Sequence, residues 1–291
     1  MLYIVDGTGD ADDEVYLTVM SDGFCDRMRK QFKGRYFRGP TRYDWTISTE
    51  SIANDVYKEI MKDVHLGKQP LFLAGHSRGG AAVIRVAQDL KKRKHAVDAM
   101  FLFDAVDRTG PFTRSVELIP SNVKVAYHAR RDTSIANYFE WGTRNAINNY
   151  NQCLLKQRFG PQAEKACASQ REIAEKYQSL DDAMKVRMRG SFVKTPIDGV
   201  SIPFGNCGTG PEDKKLTRYV EPDKPFLGSH GAIGGSPIGR QDKAWISDQD
   251  KEKFAIIADN DRAAMSSVWT WMTANFEEQR LKLHSGVRTE A

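Results

Sequence analysis

The segment Leu71-Phe72-Leu73-Ala74-Gly75-His76-Ser77-Arg78-Gly79-Gly80 constrains this chain more than any other. The apolar run before Gly75 predicts a buried strand, and Ala82, Val83, Val86, Ala87 and Leu90 after it recur at helical spacing. A strand, a sharp turn carrying a serine, and a helix make a nucleophile elbow. Gly75 and Gly79 stand two residues either side of Ser77, where strand and helix must approach closely and a side chain would intrude. The Ser77 hydroxyl then projects into a cleft. The backbone N–H of Arg78, at the start of the helix, becomes a candidate oxyanion donor, favoured by the helix dipole. The plainer reading makes Ser77 only a small residue in a tight turn.

Around the elbow the chain alternates strands and helices. Leu2-Tyr3-Ile4-Val5 reads as a short strand ending in the polar loop Asp6-Gly7-Thr8-Gly9-Asp10. Residues 11–46 carry no clear period and read as a short strand or loops. Ser48-Thr49-Glu50-Ser51 opens a helix whose Ile52, Val56, Ile60 and Val64 recur every four residues, and Gly67 closes it. After the elbow helix come the strands Ala99–Phe103, ending at Asp104, and Val123–His128, ending near Asp132. This spacing predicts an α/β fold with a mostly parallel central sheet flanked by helices, its functional edge at the carboxyl ends of the strands. The expected organisation is a first core part over 1–133, a polar helical insertion over 134–190 serving as lid or cap, and a core completion over 191–291. That last part holds loops, a histidine-bearing glycine-rich segment and a helix with Met265, Val268, Trp269, Met272 and Phe276 on one face.

The bulk composition narrows the functional classes. At 291 residues the chain can bury a sizeable core, and no apolar run nears the roughly 18 residues of a membrane span. The first residues lack a basic lead and a small-residue cleavage site, so the expectation is cytosolic synthesis without a conventional signal peptide. Cys25, Cys153, Cys167 and Cys207 show no C-x-x-C spacing, which predicts free thiols and no metal site. The net charge of +5 is dispersed, so no nucleic-acid partner is expected, while anionic lipid headgroups suit the same balance.

A serine nucleophile needs a histidine to accept its proton and an acid to orient that histidine, in the chain order serine, acid, histidine. His128 and His230 both follow the elbow with acids nearby. His230 is preferred because Gly228-Ser229-His230-Gly231-Ala232-Ile233-Gly234-Gly235 can aim it into the cleft, whereas His128 lies within a strand. For the acid, Asp104 and Asp132 each end a strand, and Asp107 is a weaker third. Asp104 is favoured because it directly follows a wholly apolar strand; the plainer reading makes either aspartate a cap of the next turn.

Taken in order, Val5-Asp6-Gly7-Thr8, Gly75-His76-Ser77-Arg78-Gly79, Phe103-Asp104-Ala105-Val106 with Gly110, Tyr127-His128-Ala129 leading to Asp132, and Gly228-Ser229-His230 through Gly234-Gly235 span residues 2–235. This set resembles a bacterial α/β-hydrolase family that includes phospholipase effectors of type VI secretion systems. The resemblance implies Ser77 as nucleophile, Asp104 as triad acid, His230 as base, and the Gly7-Thr8 loop as the second oxyanion donor beside Arg78. It implies no cofactor, a lipid or phospholipid ester substrate, peripheral membrane contact, non-classical export by a type VI route, and an immunity protein as partner. Ala105, Asp107 and Gly231 depart from the family's usual residues, which bears on substrate more than on chemistry.

A small-ester or thioester hydrolase would use the same residues. A phosphatase reading of Asp6-Gly7-Thr8 fails, since its nucleophile would fall on Ile4. A non-catalytic interaction module on the same fold would leave Ser77, Asp104 and His230 without a role.

Overall fold

Alternation along the central strands sorts their side chains into two separate cores. Leu2, Ile4, Phe72, Ala74, Phe101, Phe103, Tyr127 and Ala129 enter one, while Tyr3, Val5, Leu73, Met100, Leu102 and Ala126 enter the other. Both faces of the sheet are covered, so its strands read as continuous apolar runs rather than as alternating ones. In this computed structural model the described residues are 1–9, 11–41, 47–107, 115–131, 205–228, 230–236 and 251–284.

The elements are β1 (Leu2–Val5), α1 (Asp13–Met20), α2 (Phe24–Phe32), β2 (Arg35–Phe37), α3 (Thr49–Lys62), β3 (Phe72–His76) and α4 (Arg78–Lys92). There follow β4 (Ala99–Phe103), β5 (Val106–Asp107), β6 (Val125–Ala129), β7 (Gly205–Asn206), β8 (Arg218–Val220), α5 (His230–Ile233) and α6 (Lys251–His284). Six strands form a sheet in the order β2-β1-β3-β4-β6-β8 with every pairing parallel, and β5 pairs antiparallel with β7 beside it. The chain leaves β1 to one side for β2, then crosses to the other for β3. That reversal puts the topological switch point at the carboxyl ends of β1 and β3, where the Asp6–Thr8 loop and Ser77 lie.

Helices α3 and α4 cover one face through Ile52, Val56, Ile60, Val83, Ile84 and Leu90. The other face is covered by α2, through Phe24, Cys25 and Met28, and by α6, through Val268, Met272 and Phe276. Phe276 sits 5.2 Å from Phe101 and 5.4 Å from Phe72, ring centre to ring centre, which ties α6 to the middle of the sheet. Each such fully buried aromatic contributes about 1.5–3 kcal/mol by its removal from water.

Several expectations shift. Ser48 caps α3 by accepting the Ser51 N–H at 2.9 Å, but the helix ends at Lys62, so Val64 is 73% exposed and not part of the apolar face. Residues 11–46 contain two helices besides β2, and α2 is the less legible because its apolar side is only Phe24, Cys25, Met28 and Phe32 among charged neighbours. The stretch 191–240, read as loops, supplies β8 at the sheet edge. The insertion over 134–190 lies outside the described residues, as do Cys153 and Cys167; Cys25 and Cys207 are buried.

The glycines of the elbow are held by contact with backbone. A Cβ on Gly75 would stand 2.5 Å from the Gly79 carbonyl oxygen, and one on Gly79 would run into the Val5 and Asp6 carbonyl oxygens. Neither neighbour is a flexible side chain. Gly75→Ala is therefore expected to lower unfolding free energy by about 1–3 kcal/mol, read as a lower urea midpoint at unchanged slope.

Candidate active site

Ser77 sits between the end of β3 and the start of α4 at φ 55° and ψ −127°, a conformation L-residues seldom adopt. Such strain costs about 1–3 kcal/mol and persists only where the surroundings enforce it. Here the Ser77 N–H donates to the Phe103 carbonyl at 3.0 Å, and the Ser77 carbonyl accepts from Gly80 at 3.0 Å and Val106 at 3.2 Å. Neighbouring strand, following helix and β5 thus hold the turn from three sides.

Asp104 follows β4 directly, at φ 44°, with its N–H donated to the Ala129 carbonyl at 2.8 Å. His230 is the first residue of the short α5. The structure brings these residues together: His230 Nδ1 lies 2.7 Å from Asp104 Oδ2, and His230 Nε2 lies 2.8 Å from Ser77 Oγ. The tautomer protonated on Nδ1 satisfies both contacts, donating to the carboxylate and accepting from the serine hydroxyl. All three residues are buried.

The electrostatics keep the pair apart in protonation. Burial opposes a charge on Asp104, but the Arg131 guanidinium and the His230 hydrogen bond outweigh it and hold the carboxyl well below its ordinary range. Burial is also the largest influence on His230, and the Asp104 carboxylate only partly opposes it, so the imidazole is pushed down to about 4. At neutral pH the site therefore holds an ionised acid and a neutral base.

The remaining candidates have other placements. Asp132 lies outside the described residues. Asp107 is fully buried and accepts from Arg78 Nε at 3.2 Å, while Arg78 Nε also meets Thr49 Oγ1 at 3.0 Å and Nη1 donates to the Thr41 carbonyl at 2.8 Å. The Arg78 side chain is thus a tie between α4, the N-terminus of α3 and β5. His128 is buried in β6 with its Nε2 accepting the Ala105 N–H at 3.0 Å and its Nδ1 3.1 Å from the Gly208 carbonyl. Burial first, with Arg130 adding, pushes it down to about 4; it is a neutral brace for the turn after Asp104.

On the oxyanion side, Arg78 opens α4, whose first amides lie outside the helical ladder. Gly7 packs against Ser77, since a Cβ on it would be 3.3 Å from Ser77 Cβ. The Gly7 N–H, however, donates to the Asp6 carboxylate at 2.7 Å, which removes that amide from the donors expected of this loop. An Asp before glycine folds its side chain onto the next amide, a local geometry the motif alone does not display. Thr8 follows, and its N–H makes no such contact among the described residues.

Sequence reasoning missed the supports of this loop. Asp6 is 3% exposed and also accepts from Tyr36 Oη at 2.9 Å; Tyr16 donates to the Gly7 carbonyl at 2.7 Å and accepts the Gly39 N–H at 2.7 Å. It missed Arg131 as well, since two arginines before an aspartate read as an ordinary solvated strand end. His76 lies beside His230 with ring centres 5.0 Å apart and planes tilted by 32°, and its Nδ1 is 3.8 Å from Asp6 Oδ1. Among the described residues no group of three or more His, Cys, Asp or Glu could hold a metal ion, and no helix is long and apolar enough to cross a membrane.

Residues 29–115 match the Thioesterase domain family. The chain is similar to thioesterases there. The match takes in under a third of the chain, including the elbow and Asp104 but not the Thr8 loop or His230, and it supports an ester or thioester hydrolase of the α/β-hydrolase type. Among solved structures, the RedJ thioesterase from the prodiginine biosynthetic pathway in Streptomyces coelicolor is 11% identical, covering 84% of each chain with a TM-score of 0.31. No curated protein matches.

Proposed function

We propose that the protein hydrolyses acyl esters or thioesters through Ser77, His230 and Asp104. The observation that carries this reading is the single imidazole bridging Ser77 Oγ at 2.8 Å and Asp104 Oδ2 at 2.7 Å, beneath a strained elbow. Ser77 Oγ attacks the substrate carbonyl carbon while His230 Nε2 takes the hydroxyl proton, and Asp104 steadies the imidazolium. The N–H groups of Arg78 and Thr8 receive the oxyanion, as donors aimed where charge develops. When the tetrahedral intermediate collapses, the bond to the leaving oxygen or sulfur breaks and His230 returns the proton to it. Water, activated by the same imidazole, then releases the acid from the acyl-enzyme.

The match over residues 29–115 favours a thioester leaving group. The motif resemblance favours a lipid or phospholipid ester, and contact with a membrane surface, an immunity protein and type VI export rest on that resemblance alone. A panel of medium-chain acyl thioesters, short-chain esters and phospholipid vesicles separates these substrates. Thioester turnover without vesicle hydrolysis supports the first, vesicle hydrolysis exceeding that of the soluble substrates supports the second, and no turnover of any of them overturns the assignment to acyl transfer.

The acid limb of activity follows from His230. The imidazole must be neutral to accept the serine proton, so the rate is expected to hold from neutral pH downward and to halve near about pH 4, rather than near the 6.5 of an unperturbed histidine. Folded His230 thus binds its proton less readily than in the unfolded chain. Its contribution to stability is present above about 6.5 and declines as pH falls toward 4, which acid-unfolding curves would register.

A further inference from the structure

One oxygen of Asp104 serves two partners. His230 Nδ1 lies 2.7 Å from Oδ2, and Arg131 Nη1 lies 3.0 Å from the same atom. The Arg131 and Asp104 side chains are 1% and 7% exposed, so water screens neither charge. The backbone of Arg131 also guides the chain that delivers the base. Arg131 forms a parallel bridge with Phe226, and the Phe226 N–H donates to the Arg130 carbonyl at 2.9 Å, four residues before His230.

We propose that Arg131 is a positioning residue: its guanidinium holds the Asp104 carboxylate toward His230 and offsets part of the carboxylate's charge. This rests on the reading of Ser77, His230 and Asp104 as the catalytic set. The charged and titratable groups near His230 come from each strand end and from α6. Asp104 faces it from β4, His76 from β3 with Asp6 behind, and Arg131 from β6, where Arg130 and His128 act on Asp104 in turn. Asp261 of α6 approaches the preceding segment, with its Oδ1 3.6 Å from where a Cβ on Gly228 would stand. Of these, Asp104 favours the imidazolium, while His76 and Arg131 disfavour it along with burial itself. Removing the Arg131 charge leaves burial and His76 unchanged, so the balance moves toward the imidazolium.

The test is an NMR titration of the His230 ring in the full chain, assigned by the resonance lost in His230→Gln, with fluorophosphonate labelling rates measured across the same pH range. In Arg131→Gln the His230 midpoint should rise on the order of one pH unit, and the acid limb of labelling should follow it. Arg131→Lys keeps the charge but not the planar fork; its midpoint should stay near the native one while labelling slows several-fold. A folded Arg131→Gln protein with the native midpoint overturns the proposal. If that variant fails to fold, Arg131→Lys decides alone, and native rate with native midpoint overturns the positioning role. If the native chain takes no fluorophosphonate adduct, the catalytic reading fails, whereas the NMR midpoints still decide whether Arg131 governs the imidazole.

Discussion

Ser77→Ala is expected to abolish fluorophosphonate labelling and to lower turnover by about 10⁶-fold, with His230→Ala nearly as severe. Intact mass gives the first reading directly: one adduct on the native chain and none on Ser77→Ala. The size follows from geometry, because among the described residues the hydroxyl meets its proton acceptor at His230 Nε2, 2.8 Å away, and Ser77 supplies the nucleophile of the elbow. The double variant should be scarcely worse than either single one, since the two residues act on one proton. Stability should change little in Ser77→Ala. The turn at φ 55° is held by backbone hydrogen bonds, the Ser77 N–H donating to Phe103 and the Ser77 carbonyl accepting from Gly80 and Val106, which the substitution leaves in place. A Ser77→Ala protein that still labels and turns over would move the chemistry away from the elbow altogether.

Asp104→Asn should lower kcat by about 10⁴-fold, because an amide facing His230 Nδ1 favours the wrong tautomer and cannot steady the imidazolium. It carries a second cost. The same substitution leaves the buried Arg131 guanidinium opposite a neutral group, and breaking a buried ion pair by removing one partner destabilises by about 3–5 kcal/mol. Kinetics must therefore be compared on protein whose fold is verified by near-UV circular dichroism. Asp132→Asn, replacing the other candidate acid, is expected to have a far smaller effect on kcat. The reverse pattern would reassign the acid, and with it the meaning of the 2.7 Å contact between Asp104 and His230.

The residues around Asp6 illustrate how a motif can be legible while its use is not. Asp6-Gly7-Thr8 at the end of an apolar strand reads as a loop near the site, and the loop does pack on Ser77. Which amide it offers depends on where the Asp6 carboxylate turns. Tyr36 from β2 and the local Gly7 N–H fix that direction, and Tyr36 comes from a segment whose periodicity is too weak to place in advance. Likewise β8 has only three residues, of which none is buried, so nothing in its composition marks it as a strand; pairing with β6 makes it one.

By itself the sequence determined the elements with strong local signatures: the apolar strands before the elbow and before Asp104, the capped helix at Ser48, the glycines around Ser77, and the order serine, acid, histidine. These are legible because burial on both faces, helical period and close backbone approach each impose residue types at short range. Tertiary structure alone decided the rest. It set His230, the histidine the sequence favours, 2.8 Å from Ser77 Oγ, turned the Gly7 amide to Asp6, and placed Arg131 on the oxygen that His230 shares. Those contacts join residues as far as 153 positions apart, and direction and burial, which carry no one-dimensional period, are what determine them.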